Sequence, residues 1–144
     1  MTPNVLVFSI KPHWVDAIPA GRKKFELRRR PPTLTQLTAA LIYETSPRCQ
    51  IRVTCMVGPV ITDVPAKLWA KVCNSSALSR QVYDSYFVGS SAAHAIVLTE
   101  PRELEAISLV DLRKAIGFAP PQSWQRASTD LLCVKGLEGL IKLP

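Results

Sequence analysis

Residues 9–30, SIKPHWVDAIPAGRKKFELRRR, constrain the fold more than any other part of the chain. The β-rich apolar residues 5–10 predict a strand, and Pro12 is placed where it can begin a helix without losing a needed N–H. Pro19 discourages continuation of that helix, and Gly21 can take the positive φ that reverses the chain. A second strand follows directly, so the sequence predicts a strand, short helix, tight turn and strand in succession.

The second predicted strand has one charged face. Its apolar residues, Phe25 and Leu27, alternate with charged residues, which therefore point to the other side of the strand. The charged residues are Lys24, Glu26, Arg28 and Arg30. Taken alone, this strand favours a solvated face whose charges pair with one another. Combined with the basic turn before it and the hydroxyl-bearing loops elsewhere, it favours one wall of a binding site.

The rest of the chain predicts further strands and helices in alternation. The strands are expected at 39–43, 50–60 and 92–98, and the helices at about 64–72, from the cap Ser79 to Gly89, and from the cap Ser108 to Gly117. Residues 101–106 are predicted as loop, 120–124 as a rigid non-helical segment, and the tail from Val134 as a docked strand or loop. This order predicts a single α+β domain spanning residues 1–144, built as a small mixed β-barrel flanked by short helices.

One predicted helix carries an aromatic stripe. Val82, Tyr83, Tyr86 and Phe87 recur at helical spacing. Large apolar residues at this spacing are typical of a buried face, so the stripe is expected in the core and not as a base-stacking surface.

The charge balance favours an anionic partner. Eighteen Lys and Arg residues against eleven Asp and Glu residues give a formal net charge of +7. Nucleic acid or a nucleotide is the expected partner class, while the alternative is that the excess cations only keep the surface solvated.

Neither a metal site nor a cofactor is expected. The four cysteines, at positions 49, 55, 73 and 133, form no CxxC pair, and only two histidines accompany them. Reduced, structural cysteines in a cytoplasmic protein are the expectation. The N-terminus lacks the pattern of a signal peptide, and no apolar run approaches the length of a membrane span.

Five spaced motifs together resemble the ASCH domain family of the PUA-like superfamily. They are SIKP (9–12), GRKKFELR (21–28), IYETSP (42–47), YDSYFVG (83–89) and PPQSW (120–124). The resemblance implies a five- or six-stranded β-barrel with a cleft lined by the Gly-Arg-Lys turn and the strand after it. Members of the family bind RNA or act on nucleosides.

The same motifs supply the candidate site residues. Lys11, Lys23 and Arg28 are expected to converge with Glu26 at one end of the barrel, giving donors for phosphate and a carboxylate for a base edge or a water. The other residues expected to bind the ligand are Arg22, Tyr43, Thr45, Ser123 and Trp124, which supply a further cation, hydroxyls and a stacking face.

Two classes of function remain open, and we favour the first. The domain is either a reader of RNA, single-stranded nucleic acid or a nucleotide, or a hydrolase that uses Lys23 with Glu26. Resemblance to the family implies two hydrolytic reactions, removal of an acyl group from N4-acylated cytidine and cleavage of RNA. The first uses a lysine in the turn, a threonine three residues later and a distant glutamate. Here Glu26 stands where that threonine is expected, so Ser9, Thr45 or Ser123 would have to replace its hydroxyl, or Glu26 would have to activate a water. A domain acting through an unidentified protein partner is a third possibility.

Overall fold

The computed structural model describes residues 4–34 and 38–137, which form six strands and five helices. The strands are β1 (Val5–Ile10), β2 (Phe25–Arg28), β3 (Thr38–Glu44), β4 (Gln50–Asp63), β5 (Ala93–Ser108) and β6 (Trp124–Arg126). The helices are α1 (Pro12–Ala17), α2 (Pro65–Val72), α3 (Arg80–Phe87), α4 (Leu109–Ile116) and α5 (Thr129–Leu132). In the described ranges, no helix combines the length and the apolar character that crossing a lipid bilayer requires.

All six strands belong to one mixed sheet with the order β2-β5-β4-β3-β1-β6. Strands β1 and β3 are parallel, and every other neighbouring pair is antiparallel. The sheet curls into a half-barrel with short helices around it, which confirms the predicted α+β fold. The tail, for which a strand or loop was expected, lies outside the described residues beyond position 137.

The curl brings the two edges of the sheet, β2 and β6, close together. Side chains join them. The Arg28 guanidinium donates to the Ser123 Oγ at 2.9 Å and to the Ser9 carbonyl oxygen at 3.2 Å. The Trp124 Nε1 donates to the Arg30 carbonyl oxygen at 3.1 Å. We call this line of contacts the seam. It fixes the distance between the two edges without adding a sixth pair of strands.

Both faces of the central strands are buried, which explains why β1 and β3 are almost entirely apolar. On the concave face, Phe8 and Ile42 pack against Val15 of α1. On the convex face, Leu41 packs with Leu112 of α4. Because successive side chains of a strand alternate between faces, this arrangement also decides which residues of β3 can approach a cleft on the concave side.

The predicted helix boundaries are confirmed by their capping residues. The Ser79 Oγ accepts a hydrogen bond of 3.2 Å from the Val82 N–H at the start of α3. The Ser108 Oγ accepts one of 3.1 Å from the Asp111 N–H at the start of α4. Gly117 ends α4 in the left-handed conformation, with a φ of 66°. Each bond satisfies a backbone N–H that a helix terminus otherwise leaves unpaired.

The predicted loop at 101–106 is wrong, because β5 continues through it to Ser108. Met56 pairs with Thr99 and Thr54 with Arg102, so β5 carries one extra residue at this point. This β-bulge accommodates Pro101, which has no N–H to donate to the ladder. Strand β6 and helix α5, which have three and four residues, were not predicted from the sequence.

Candidate functional site

A cleft of about 400 Å³ opens on the concave side of the sheet, next to the seam. Its polar lining residues are Ser9, Lys11, Lys23, Glu26, Arg28, Thr45 and Gln122. Its apolar and aromatic lining residues are Ile10, Trp14, Leu27, Leu78, Val82 and Tyr86. The volume lies within the range of small-molecule sites, and the mixture of an apolar wall with a few convergent polar groups is typical of such sites.

A buried cluster of three charges lies in the cleft. The Lys23 Nζ is 3.0 Å from the Glu26 Oε1, and the Arg28 Nη2 is 2.6 Å from the Glu26 Oε2. Only 8% of the Glu26 side chain is exposed, so the interpretation of β2 as a solvated charged face is wrong at this position. The Lys23 ammonium also donates to the Phe25 carbonyl oxygen at 2.8 Å. Both cations are therefore positioned by several contacts.

The local fold explains why the cluster forms here. Strand β2 is at the edge of the sheet, and it pairs on one side only, with β5. Its other side faces the seam, where Arg28 donates hydrogen bonds to Ser9 and Ser123. Lys23 lies just before β2, and its N–H donates to the Ala17 carbonyl oxygen at 3.0 Å, which holds the turn against α1.

Electrostatics keep the buried carboxyl ionised. Burial alone raises the pKa of Glu26, but the charges of Lys23 and Arg28 and their hydrogen bonds outweigh burial and hold this pKa below its usual range. Two cations thus face one carboxylate, and the cluster keeps a net positive charge. An anionic group of a ligand would be attracted to such a cluster.

Arg28 is the most constrained member of the cluster. Its guanidinium bonds to Glu26, Ser9 and Ser123 and lies 5.5 Å from the centre of the Phe8 ring. The Arg28 Nε is buried and has no hydrogen-bond partner among the described residues. A planar guanidinium held from three directions keeps a fixed orientation, which a lysine at this position would not reproduce.

Two aromatic side chains in the cleft offer stacking surfaces. Trp14 of α1 and Tyr86 of α3 line it, and the Lys11 Nζ lies 5.5 Å from the centre of a Trp14 ring. The expectation that the whole aromatic stripe is core is wrong in part. Tyr83 and Phe87 are buried, whereas Val82 and Tyr86, one helical turn apart, line the cleft.

The structure brings together most of the predicted site residues. Those that line the cleft are Lys11, Lys23, Glu26, Arg28 and Thr45. Ser123 lies at the border of the cleft, where its hydroxyl accepts a hydrogen bond from Arg28. Trp124, the next residue, is partly buried and packs against the core of the concave face. Arg22 is exposed and is not among the lining residues.

Tyr43 lies outside the cleft. It belongs to the convex face, where its ring centre is 6.0 Å from that of Phe118. Burial, followed by a hydrogen bond with Cys49, raises the pKa of Tyr43 to about 12. Since Ile42 fills the concave face, the alternation of β3 sends the Tyr43 side chain away from the cleft.

The cleft residues that were not predicted from the sequence include Trp14, Tyr86 and Gln122. Trp14 lies in the helix predicted to begin at Pro12 but was not proposed as a site residue, and Tyr86 was assigned to the core. A signal for Tyr86 was present, because the four large residues of α3 form two pairs at i, i+4 spacing, and one short helix buries only one of them. Gln122 lies next to the predicted Ser123 within a motif that was already singled out.

A second charged cluster supports the loop that carries Thr45. Glu44 has no exposed side-chain area, and its carboxylate accepts hydrogen bonds from Arg48, Gln50 and Arg52. Burial raises the pKa of Glu44, but these bonds outweigh it and lower the pKa overall. Asp16 of α1 pairs with the same two arginines, which ties the loop to the helix beside the cleft. In the described part of the chain, no group of three or more His, Cys, Asp and Glu side chains could hold a metal ion.

Comparison with known proteins identifies the family. A protein of Zymomonas mobilis named ASCH domain-containing ribonuclease is 33% identical over 124 residues, which are 83% of this chain and 83% of that protein. The chain belongs to the ASCH domain family. A scan of protein-family models gives no match.

Solved structures agree with this assignment. The crystal structure of ASCH from Zymomonas mobilis superposes with a TM-score of 0.82 at 28% identity, covering 88% of this chain and 90% of that one. A mutant of ZmASCH with phenylalanine in place of a tyrosine gives a TM-score of 0.84 at 26% identity, with coverages of 96% and 97%. The ASCH domain described here is therefore related to these proteins over most of its length.

Proposed function

We propose that this ASCH domain binds single-stranded RNA, with one base in the cleft and the adjacent backbone on its basic border. The observation that carries the proposal is the buried Lys23–Glu26–Arg28 cluster beside the aromatic surfaces of Trp14 and Tyr86. Positive charge with stacking surfaces is the combination that single-strand readers use, because every base has a face to stack and every nucleotide a phosphate to neutralise.

The size of the cleft favours a single strand. A volume of about 400 Å³ suits a nucleotide-sized group, and an unpaired base can be turned into such a space. A paired base in a duplex is stacked and inaccessible. RNA is favoured over DNA because the relative from Zymomonas mobilis is named a ribonuclease.

The charged residues of the cleft divide into two groups. Lys23 and Arg28 are held by Glu26, so they fix the shape of the cleft and leave it positively charged. Lys11 is exposed, and its ammonium lies over Trp14. We assign Lys11 to phosphate contact, and the buried cluster to the base or sugar.

Cleavage of the bound RNA is the second candidate function, and the name of the same relative favours it. Attack on a phosphodiester places extra negative charge on the phosphoryl oxygens, and Lys23 and Arg28 would stabilise that charge. Glu26 would be a weak base, because its pKa is lowered. Electrostatic stabilisation is thus the larger contribution that these three residues can make.

Deacylation of N4-acylated cytidine has less support. The mechanism implied by the family resemblance needs a hydroxyl near the lysine, and Glu26 lacks one. One candidate in the cleft, Ser9, donates its own hydroxyl to the Pro121 carbonyl oxygen at 2.6 Å. The Lys23 ammonium is engaged by Glu26 and by the Phe25 carbonyl oxygen.

Binding and turnover can be measured in one experiment. The protein is titrated into labelled single-stranded RNA, duplex RNA, single-stranded DNA and N4-acetylcytidine at several salt concentrations, and the products are separated afterwards. We expect salt-dependent binding that is strongest for single-stranded RNA. Lys11→Gln should weaken it, whereas Lys114→Gln, which removes an equivalent charge from exposed α4, should not.

Three outcomes separate the candidate functions. Cleavage would be established if wild type produces shortened RNA and Lys23→Gln does not, provided that the circular dichroism spectrum shows the variant to be folded. Binding without product would leave an RNA reader. Absence of binding to every nucleic acid would refute the proposal and direct the search to a protein partner.

A further inference from the structure

A basic groove adjoins the cleft on the side of the seam. Its volume is about 370 Å³, and it is lined by Arg28, Arg29, Arg30, Tyr86 and Ser123. Arg28 and Tyr86 also line the cleft, so the two depressions share a wall. None of these five lining residues is acidic. We call this depression the arginine groove.

The backbone at Arg29 and Arg30 is fixed although β2 ends at Arg28. The Arg29 N–H donates to the Tyr86 hydroxyl at 3.3 Å, and the Arg30 carbonyl oxygen accepts from the Trp124 Nε1 at 3.1 Å. One bond ties the segment to α3 and the other ties it across the seam to β6. The two side chains therefore start from defined positions at the border of the groove.

The Arg29 guanidinium is stacked on an aromatic ring. It lies 4.8 Å from the centre of the Tyr86 ring. A guanidinium contacts a ring through its planar face. Its N–H groups, which lie in the guanidinium plane, therefore remain available to an anion. Tyr86 thus both lines the cleft and supports the Arg29 guanidinium.

Two of the three charges of the arginine groove, those of Arg29 and Arg30, are not neutralised within the described part of the protein. In residues 4–34 and 38–137, the Arg29 and Arg30 guanidinium groups make no ion pair with a carboxylate. The Glu26 carboxylate is already bonded to Lys23 and Arg28. Adjacent like charges repel one another. Binding of an anion relieves this repulsion and is therefore favourable. A phosphate diester is the anion that lies next to a nucleotide in RNA.

We propose that the arginine groove is a subsite for the phosphate of the nucleotide adjacent to the one in the cleft. The ligand of this domain is then a single-stranded oligoribonucleotide, and not a free nucleoside or mononucleotide. The inference rests on the proposed function, because it places a second part of the same RNA strand. It assigns Arg29 and Arg30 to backbone contact outside the cleft and leaves the cleft, with Lys11, to a single nucleotide.

The test compares ligand length against charge removal. Affinities for the four nucleoside 5′-monophosphates and for a mixed single-stranded RNA of about five nucleotides are measured with wild type and with the double variant Arg29→Gln/Arg30→Gln. The matched control is Arg113→Gln/Lys114→Gln, which removes the same charge from exposed positions on α4. The melting temperature of each variant shows whether it is folded.

We expect the groove variant to bind the oligonucleotide about tenfold more weakly or worse, while its affinity for mononucleotides stays within twofold of wild type. The slope of log K against log salt should become shallower by about 0.7, which corresponds to one lost phosphate contact on a single strand. The control should keep most of the affinity for the oligonucleotide. Arg29→Lys/Arg30→Lys should keep the salt slope and lose part of the affinity, because lysine retains the charge but not the stacking on Tyr86.

The failures are distinguishable. If wild type binds the oligonucleotide and the groove variant binds it as the control does, the arginine groove is not a subsite, and RNA binding by the cleft stands. Equal affinity of wild type for a mononucleotide and for the oligonucleotide would also overturn the inference. If wild type binds no RNA, the proposed function fails and this inference fails with it.

Discussion

The Arg28 Nη1 donates a 2.9 Å hydrogen bond to the Ser123 Oγ, which lies 95 positions further along the chain. Through Nη2 the same guanidinium reaches the Glu26 carboxylate and the Ser9 carbonyl oxygen. One side chain therefore holds the edges of the half-barrel together and fixes the carboxylate of the cleft. Closure of the half-barrel and the geometry of the cleft are therefore coupled at Arg28.

Replacement of Arg28 by lysine should destabilise the protein although the charge is kept. A lysine cannot reach Glu26, Ser9 and Ser123 together, so at least one polar group near the seam is left without its partner. We expect the free energy of unfolding, measured with urea, to fall by about 2 kcal/mol. Arg113→Lys, at an exposed position on α4, is the control and should leave it unchanged. Equal stability of both variants would show that the seam contributes little.

Replacement of Glu26 by glutamine should have a larger effect. It leaves Lys23 and Arg28 buried beside a neutral amide, whose NH2 group faces a cation. Removing one partner of a buried ion cluster typically costs about 3 kcal/mol or more. Urea unfolding of Glu26→Gln can be compared with that of Glu105→Gln, which removes an exposed carboxylate. If the unfolding free energy falls no more than in the control, the ion pairs of Glu26 with Lys23 and Arg28 do not stabilise the protein.

The same carboxyl predicts how stability depends on pH. The pKa of Glu26 is lowered in the folded protein from the usual value of 4.5. A lowered carboxyl pKa contributes stability that is complete above the unfolded-state pKa and is lost as the pH falls through the folded-state pKa. The difference in unfolding free energy between wild type and Glu26→Gln should therefore be constant near neutral pH and shrink as the pH falls below about 4.5.

Comparison with the variant isolates Glu26, because Glu44 and Asp16, whose pKa values are also lowered, are present in both proteins. Chemical denaturation at a series of pH values gives the difference directly. A gap that stays constant down to about pH 3 would contradict the assignment of Glu26 as an ionised buried carboxylate.

Replacement of Trp14 by leucine should weaken RNA binding more than it weakens folding. Leucine preserves apolar contact in the cleft and removes the ring on which a base would stack. Stacking of one base on an aromatic side chain contributes about 1–3 kcal/mol, so the affinity for single-stranded RNA should fall about fivefold or more. Trp69→Leu, a partly buried indole in the cluster around α2, is the matched control. A similar loss of affinity in both variants would argue against base stacking at Trp14.

The half-barrel was predictable in outline because its strands and helices carry local signals. The apolar strands β1 and β3, the caps Ser79 and Ser108 and the terminator Gly117 are all legible in the sequence. What could not be predicted is the extension of β5 past Pro101, because a proline argues against a strand unless a bulge removes the need for its N–H. The bulge depends on pairing with β4, which no local pattern encodes.

The candidate site was predictable to the same degree. The residues on β2 and the turn before it were found because they are contiguous in sequence. The burial of Glu26 was not, since the alternation of charges along β2 says which residues share a face and not whether water reaches that face. Tyr43 was included in the site because it belongs to a matching motif, and the pleat of β3 directs it to the other side of the sheet.

Strand β6 is synthesised long after β1, the strand with which it pairs. Its residues pair with β1, so that Leu6 is opposite Arg126. A ribosome synthesises the first of these strands well over a hundred residues before the second. Until then the nascent chain has β1 with an open edge and Arg28 without Ser123. The cleft can thus be completed only after residue 126 has been synthesised, and the growing chain carries Lys23, Glu26 and Arg28 well before their surroundings are in place.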